Sequence, residues 1–192
     1  MAKKLTVISR GGIDDVSWKI FMNAKPAGWE VSVVNPDDEP KLAKEMETAE
    51  YLMPYMAGRI SPKVVEMSKK LKLIQTASQG TEMVPGKEAL GKGIAVANAG
   101  GANAISVAEH TILLTLACLR KFLLINQGIK EGKFRGIVDR NSCHELFERT
   151  VGVVGFGNVG RRVARLAYGF GANVIYYERI FVPYAPPGGH ES

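Results

Sequence analysis

The sequence predicts an α/β protein built on parallel sheets. Short runs rich in β-branched residues alternate with stretches of helical periodicity, which is the pattern of strands joined by crossover helices. One such run leads directly into a glycine-rich turn, Gly155-Phe156-Gly157-Asn158-Val159-Gly160. A long apolar helical segment separates two blocks of this alternation.

In the first block, strands are expected at 5–9, 30–34, 50–54, 71–77 and 94–97, with helices at about 16–24, 40–47 and 61–70. Ser61 followed by Pro62 is a helix start signal, an N-cap hydroxyl and then a residue with preset φ and no N–H to satisfy. Residues 1–102 are therefore expected to form a flavodoxin-like domain with its own core. Gly100-Gly101 ends the block. A helix is expected from 103 to about 126, opened by a capping box of Ser106 and Glu109. Residues 127–149 lack strong periodicity and read as short helix and loop. Strand 150–154, the glycine-rich turn, a helix to about Phe170 and strand 173–177 make one βαβ unit. Residues 181–192 are Pro/Gly-rich and patternless, and are expected to be a disordered tail.

Composition excludes several classes. With 46% hydrophobic and 23% charged residues the chain reads as an ordinary globular protein. Its net charge of +6 comes from scattered basic residues, not from a stripe interleaved with aromatics, so no nucleic-acid partner is expected. Cys118 and Cys143 make no disulfide framework and have no metal-ligand spacing, so no metal is expected and the cytoplasm is the simplest compartment. The apolar run 111–119 is about half the length that spans a bilayer, so no membrane association is expected.

The glycine-rich turn carries the chemistry. It follows a strand, opens a helix, and has Glu178 at the end of the next strand, 178 − 160 = 18 residues beyond Gly160. This is the beginning of a Rossmann dinucleotide fold. Gly155 permits a tight turn, Gly157 lets the backbone approach a pyrophosphate, and Gly160 lets helix and strand pack closely. The N–H groups of Asn158 and Val159 would face the phosphates at the positive end of the helix. Glu178 would accept hydrogen bonds from the adenosine ribose and repel a 2′-phosphate, so NAD is the expected cofactor. Arg179 beside it leaves NADP as the alternative.

With these residues in view, the chain resembles the D-isomer-specific 2-hydroxyacid dehydrogenases, the family of phosphoglycerate, glycerate and formate dehydrogenases. The segments that carry the resemblance are Leu71-Lys72-Leu73-Ile74-Gln75, residues 103–110, and the run from Thr150 through the glycine-rich turn to Arg161. The resemblance implies an oxidoreductase that moves hydride between NAD and a phosphoglycerate- or glycerate-like D-2-hydroxy acid. It implies a substrate domain at 1–102, a connecting helix and linker at 103–149, and the first βαβ unit of the NAD-binding domain at 150–180. It places Ser78, Gln79 and Gly80 on a loop that offers backbone N–H groups to the substrate carboxylate, with Gln79 also touching the nicotinamide end of the cofactor.

Two residues depart from the family's pattern: Glu82 stands where Asp is usual, and Glu148 replaces a glycine before strand 150–154. The family's catalytic Arg, Glu and His lie beyond the stretch that this sequence matches, so no catalytic residue is assigned and the chain is expected to be a C-terminally truncated form, inactive alone. His110 on the connecting helix, His144 in the linker and His190 in the tail are not expected to replace the missing base. The alternative is a non-catalytic regulatory fragment that forms homo-oligomers or associates with full-length subunits.

Overall fold

The computed structural model describes residues 2–180 of the chain, so the expected tail lies outside the described residues. The chain divides into two compact units, one ending at Ala102 and the other beginning at Asn103. Each is considered by itself.

The first unit carries a five-stranded parallel sheet in the order β2-β1-β3-β4-β5. The strands are β1 (Lys3–Ile8), β2 (Trp29–Val34), β3 (Tyr51–Pro54), β4 (Leu73–Gln75) and β5 (Ala95–Ala97). Central β1 pairs with both β2 and β3, and its Thr6, Val7 and Ile8 are fully buried, as a strand covered on both faces requires. The buried Thr6 hydroxyl shares a 3.2 Å hydrogen bond with Ser32 Oγ on β2.

Four helices connect these strands: α1 (Asp15–Ala24), α2 (Glu39–Met46), α3 (Pro62–Met67) and α4 (Gly86–Gly91). Side-chain caps start three of them. Asp14 accepts from the Ser17 N–H, Asp38 from the Lys41 N–H, and Ser61 from the Lys63 N–H. Leu42 and Met46 of α2, Val64 and Val65 of α3, and Ala89 of α4 close one core with Ile8, Val34, Leu52 and Ile74 of the sheet. No residue of α1 is fully buried. On β2, Trp29 stacks against Tyr51 of β3's start, with ring centroids 4.5 Å apart.

The second unit consists of α5 (Ala104–Leu119), α6 (Phe122–Lys130), a turn of 3-10 helix at Arg140–Ser142, β6 (Thr150–Val154), α7 (Asn158–Gly169) and β7 (Asn173–Tyr177). β6 and β7 pair in parallel and form a two-stranded sheet. Ile112 of α5, Leu146, Ala167 of α7 and Ala172 make one small core, to which Val151 and Val174 contribute from the strands. Residues of opposite orientation on the strands are open: Val154 is 86% exposed, Ile175 61% and Tyr177 65%. No single helix among the described residues is long and apolar enough to cross a membrane. Taken together α5 and α6 would be, but they are bent by 65°.

The structure corrects several sequence expectations. The capping box is not formed: α5 starts at Ala104 with Asn103 at the N-cap, so Ser106 and Glu109 already lie inside the helix. The expected continuous helix to 126 is two helices, because Lys121 takes a left-handed conformation with φ 52°. Strand β4 spans only Leu73–Gln75, and α3 stops at Met67, where Ser68 Oγ turns back to the Val64 carbonyl at 2.6 Å. Helix α4 was not expected, because the glycines at both of its ends hide its single turn of helix formers.

Candidate functional site

The glycine-rich turn is fixed by three different constraints. Gly155 continues the strand ladder, donating to the Tyr177 carbonyl at 2.9 Å, and then turns with φ 90°, a conformation closed to side-chain-bearing residues except at strain. At Gly160 an added Cβ would collide with the Gly155 carbonyl oxygen and lie 3.1 Å from Val153, so glycine is what lets α7 sit against β6. Gly157 differs from both. Its φ of −82° is ordinary, and a Cβ there would meet nothing within 4 Å. The space above it is open, and no side chain caps the first turn of α7, so its N–H groups are not satisfied by a cap.

Glu178 is tied to this turn. Its Oε2 accepts from the Phe156 N–H at 2.6 Å, and its Oε1 from the Arg179 N–H at 2.8 Å. These bonds, led by the one from Phe156, hold the carboxyl below its ordinary value of 4.5, so it is anionic at neutral pH and some way into acid. Phe156 is clamped from the other side as well. Its carbonyl accepts from Arg161 Nε at 2.9 Å, and its ring, 1% exposed, stacks on Tyr176 at 4.0 Å. Sequence reasoning passed over Phe156, Arg161 and Tyr176. An aromatic residue between the first two glycines, with another aromatic two residues before Glu178, was the available signal.

A groove of about 410 Å³ adjoins the turn, running along β6 and lined by Thr111, Ile112, Val151, Val159 and Val163 among others. Gly155 and Gly160 of the turn border it at one end, and its other walls are mainly aliphatic. A second opening, at Tyr176, Tyr177, Glu178 and Arg179, lies on the acidic side of the turn.

Ser78, Gln79 and Gly80 belong to the first unit and follow β4. Their loop is held through its carbonyls: Thr76 Oγ1 donates to Ser78 O at 2.9 Å, Asn98 Nδ2 to Gln79 O at 2.7 Å, and Ser78 Oγ to Gly80 O at 3.0 Å. Among the described residues, no hydrogen bond is donated by the N–H groups of these three residues. The Glu82 carboxylate packs so close to Gly80 that a Cβ there would overlap it. Glu82 is the residue that departs from the family's Asp.

His110 and His144 are exposed, and neither forms an ion pair among the described residues; His190 lies outside them. Among the described residues no cluster of His, Cys, Asp and Glu could hold a metal ion, and both cysteines are free.

The family model of D-isomer specific 2-hydroxyacid dehydrogenase, catalytic domain, matches residues 6–181. This chain belongs to that family. Hydroxypyruvate reductase of Thermotoga maritima is 35% identical over 166 residues, 86% of this chain and 53% of that protein. D-3-phosphoglycerate dehydrogenase of Methanocaldococcus jannaschii is 34% identical over 168 residues, 85% of this chain and 30% of the relative. The solved structure of NAD+-bound 3-phosphoglycerate dehydrogenase from Entamoeba histolytica aligns with a TM-score of 0.73 at 25% identity, covering 95% of this chain and 56% of that one. The chain thus spans about half the length, or less, of these dehydrogenases.

Proposed function

We propose that this dehydrogenase-family chain binds NAD through the turn Gly155–Gly160 and Glu178, as part of an oxidoreductase acting on a D-2-hydroxy acid of the phosphoglycerate or glycerate kind. The observation that carries the reading is the bond from the Phe156 N–H to Glu178. It joins the phosphate-facing turn to the ribose-facing acid before any ligand arrives. A carboxylate offers about four acceptor sites, and the two backbone bonds leave room for a ribose diol. The open space over Gly157 and the uncapped start of α7 fit a pyrophosphate. NAD, when bound, supplies hydride acceptance at its nicotinamide. Arg179, exposed beside Glu178, supports NADP as the secondary cofactor.

Ser78, Gln79 and Gly80 are proposed to receive the substrate carboxylate through N–H groups that the loop leaves unpaired, with Gln79 also reaching the cofactor's nicotinamide end. Glu82 opposes an anion beside Gly80, so weak substrate binding is expected. These residues alone are expected not to turn over a hydroxy acid. Among the described residues neither histidine forms an ion pair with a carboxylate that could fix its tautomer and orient it toward a hydroxyl proton.

Calorimetric titration with NAD tests the reading. Gly157→Val should abolish binding while leaving the circular dichroism spectrum unchanged, because a side chain there fills only open space. Unchanged affinity in that variant would remove the turn from the site.

A second reading, association with other copies or with longer dehydrogenase subunits, is favoured by the exposed Phe122, Leu123 and Leu124 on α6. Failure to co-purify with a full-length relative would eliminate it.

A further inference from the structure

The first unit has a cavity of about 230 Å³ between α2 and α3, away from the Ser78–Gly80 loop. Its wall is apolar: Leu42 and Ala43 come from α2, Ile60, Val64 and Met67 from α3 and the turn before it. Its rim is cationic. Arg10, Arg59 and Lys63 line it, against a single carboxylate, Glu39.

Arg10 is held in place. Its guanidinium donates to Asp37 from Nε at 3.1 Å and from Nη2 at 3.2 Å, and to the Ala57 carbonyl from Nη1 at 2.6 Å. Gly58, with φ 69°, leaves room for that last bond, since a Cβ would come within 2.6 Å of Nη1. Arg59 and Lys63 are exposed, and among the described residues neither has a carboxylate within 4.0 Å. With Arg10 compensated by Asp37, the rim carries two uncompensated cations against Glu39.

The cavity's place in the sheet is informative. From β1 the chain leads outward to β2 and then crosses to β3 on the other side, so strand order reverses between β1 and β3. Arg10 follows the carboxyl end of β1, and Arg59 to Ser61 follow that of β3. Open α/β sheets bind ligands outside the carboxyl ends of strands at such a reversal.

We infer that this cavity is a second binding site, for a small organic anion with an apolar body, a phosphate monoester or carboxylate whose head meets Arg59 and Lys63 and whose body enters between Leu42 and Val64. The volume is below the ~300–1,000 Å³ of drug-sized pockets, so the ligand is a small one. Every residue that lines it belongs to the first unit, and none belongs to the proposed dinucleotide turn.

Titration of the isotope-labelled chain with phenyl phosphate, followed by ¹H–¹⁵N NMR, tests the inference. Saturable shifts are expected in the Arg10 loop, α2 and α3. Inorganic phosphate should bind about tenfold more weakly, having no apolar body to bury. The double variant Arg59→Ala/Lys63→Ala should weaken phenyl phosphate binding by about tenfold or more, since two charge-assisted contacts are lost. Lys130→Ala, which removes an exposed charge elsewhere, and Gly157→Val should both leave it unchanged. Absence of saturable shifts in those segments, equal affinity for inorganic phosphate, insensitivity to the double variant, or loss of binding in Gly157→Val would each overturn the site.

Discussion

The two units cover a parallel sheet to different degrees. In the first, five strands are packed by α2, α3 and α4, and Ile8, Leu52 and Ile74 are wholly removed from water. In the second, two strands are packed on one side, while Val154, Ile175 and Tyr177 of the other side stay exposed. Small residues fill much of what core there is, with Ala164, Ala167 and Ala172 buried beside Ile112, Leu146 and Phe156. A two-stranded sheet is marginal in water unless something packs on it. Cofactor-type geometry can therefore be well defined locally in a unit whose packing leaves little stability in reserve.

The strongest way to test this contrast is to remove one large core side chain from each unit. Phe156→Ala should cost about 3–5 kcal/mol and Leu52→Ala about 2–5 kcal/mol. Hydrogen exchange should show protection lost across β6, α7 and β7 in the first variant, with β1 to β5 retained. If β1 to β5 lose protection equally in Phe156→Ala, the units are one cooperative body and the contrast fails.

A smaller effect acts in the opposite direction. Glu148 has φ 57°, donates its N–H to the Gly171 carbonyl at 2.9 Å, and carries a Cβ in a conformation that glycine adopts without penalty. Glu148→Gly should stabilise the second unit by about 1 kcal/mol, read as a raised midpoint in calorimetry. A lowered midpoint would show that the Glu148 side chain contributes more than its backbone strain removes.

The smallest effect on folding is expected at the open face. Ile175→Lys should change stability by no more than about 0.5 kcal/mol, yet reduce concentration-dependent light scattering. A large loss of stability would mean that this face is covered.

Much of the fold was legible because its signals are local and physical. The β-branched runs of β1, β2 and β6 mark strands, and Ser61-Pro62 marks the start of α3. The junction of the turn with Glu178 was legible only as a spacing; that the two are joined through the Phe156 N–H is a property of the folded backbone. The break between α5 and α6 carried no glycine or proline signal, since Lys121 adopts a conformation that its sequence does not favour. The Ser106 and Glu109 pairing failed for a related reason. Asn103 takes the N-cap three residues earlier, so the expected box falls within the helix. The cavity beside Arg59 left no sequence signal, because it is created by how α2 and α3 pack side by side, which no local residue pattern encodes.

The Trp29–Tyr51 stack has a practical consequence. Both tryptophans, Trp18 and Trp29, belong to the first unit, and the second has none. Intrinsic indole emission from this chain is thus a one-sided probe: it reports melting of the five-stranded sheet and is silent about β6 and β7. Far-ultraviolet ellipticity sees both, so two melting curves that part company would give each unit its own transition from an unlabelled sample.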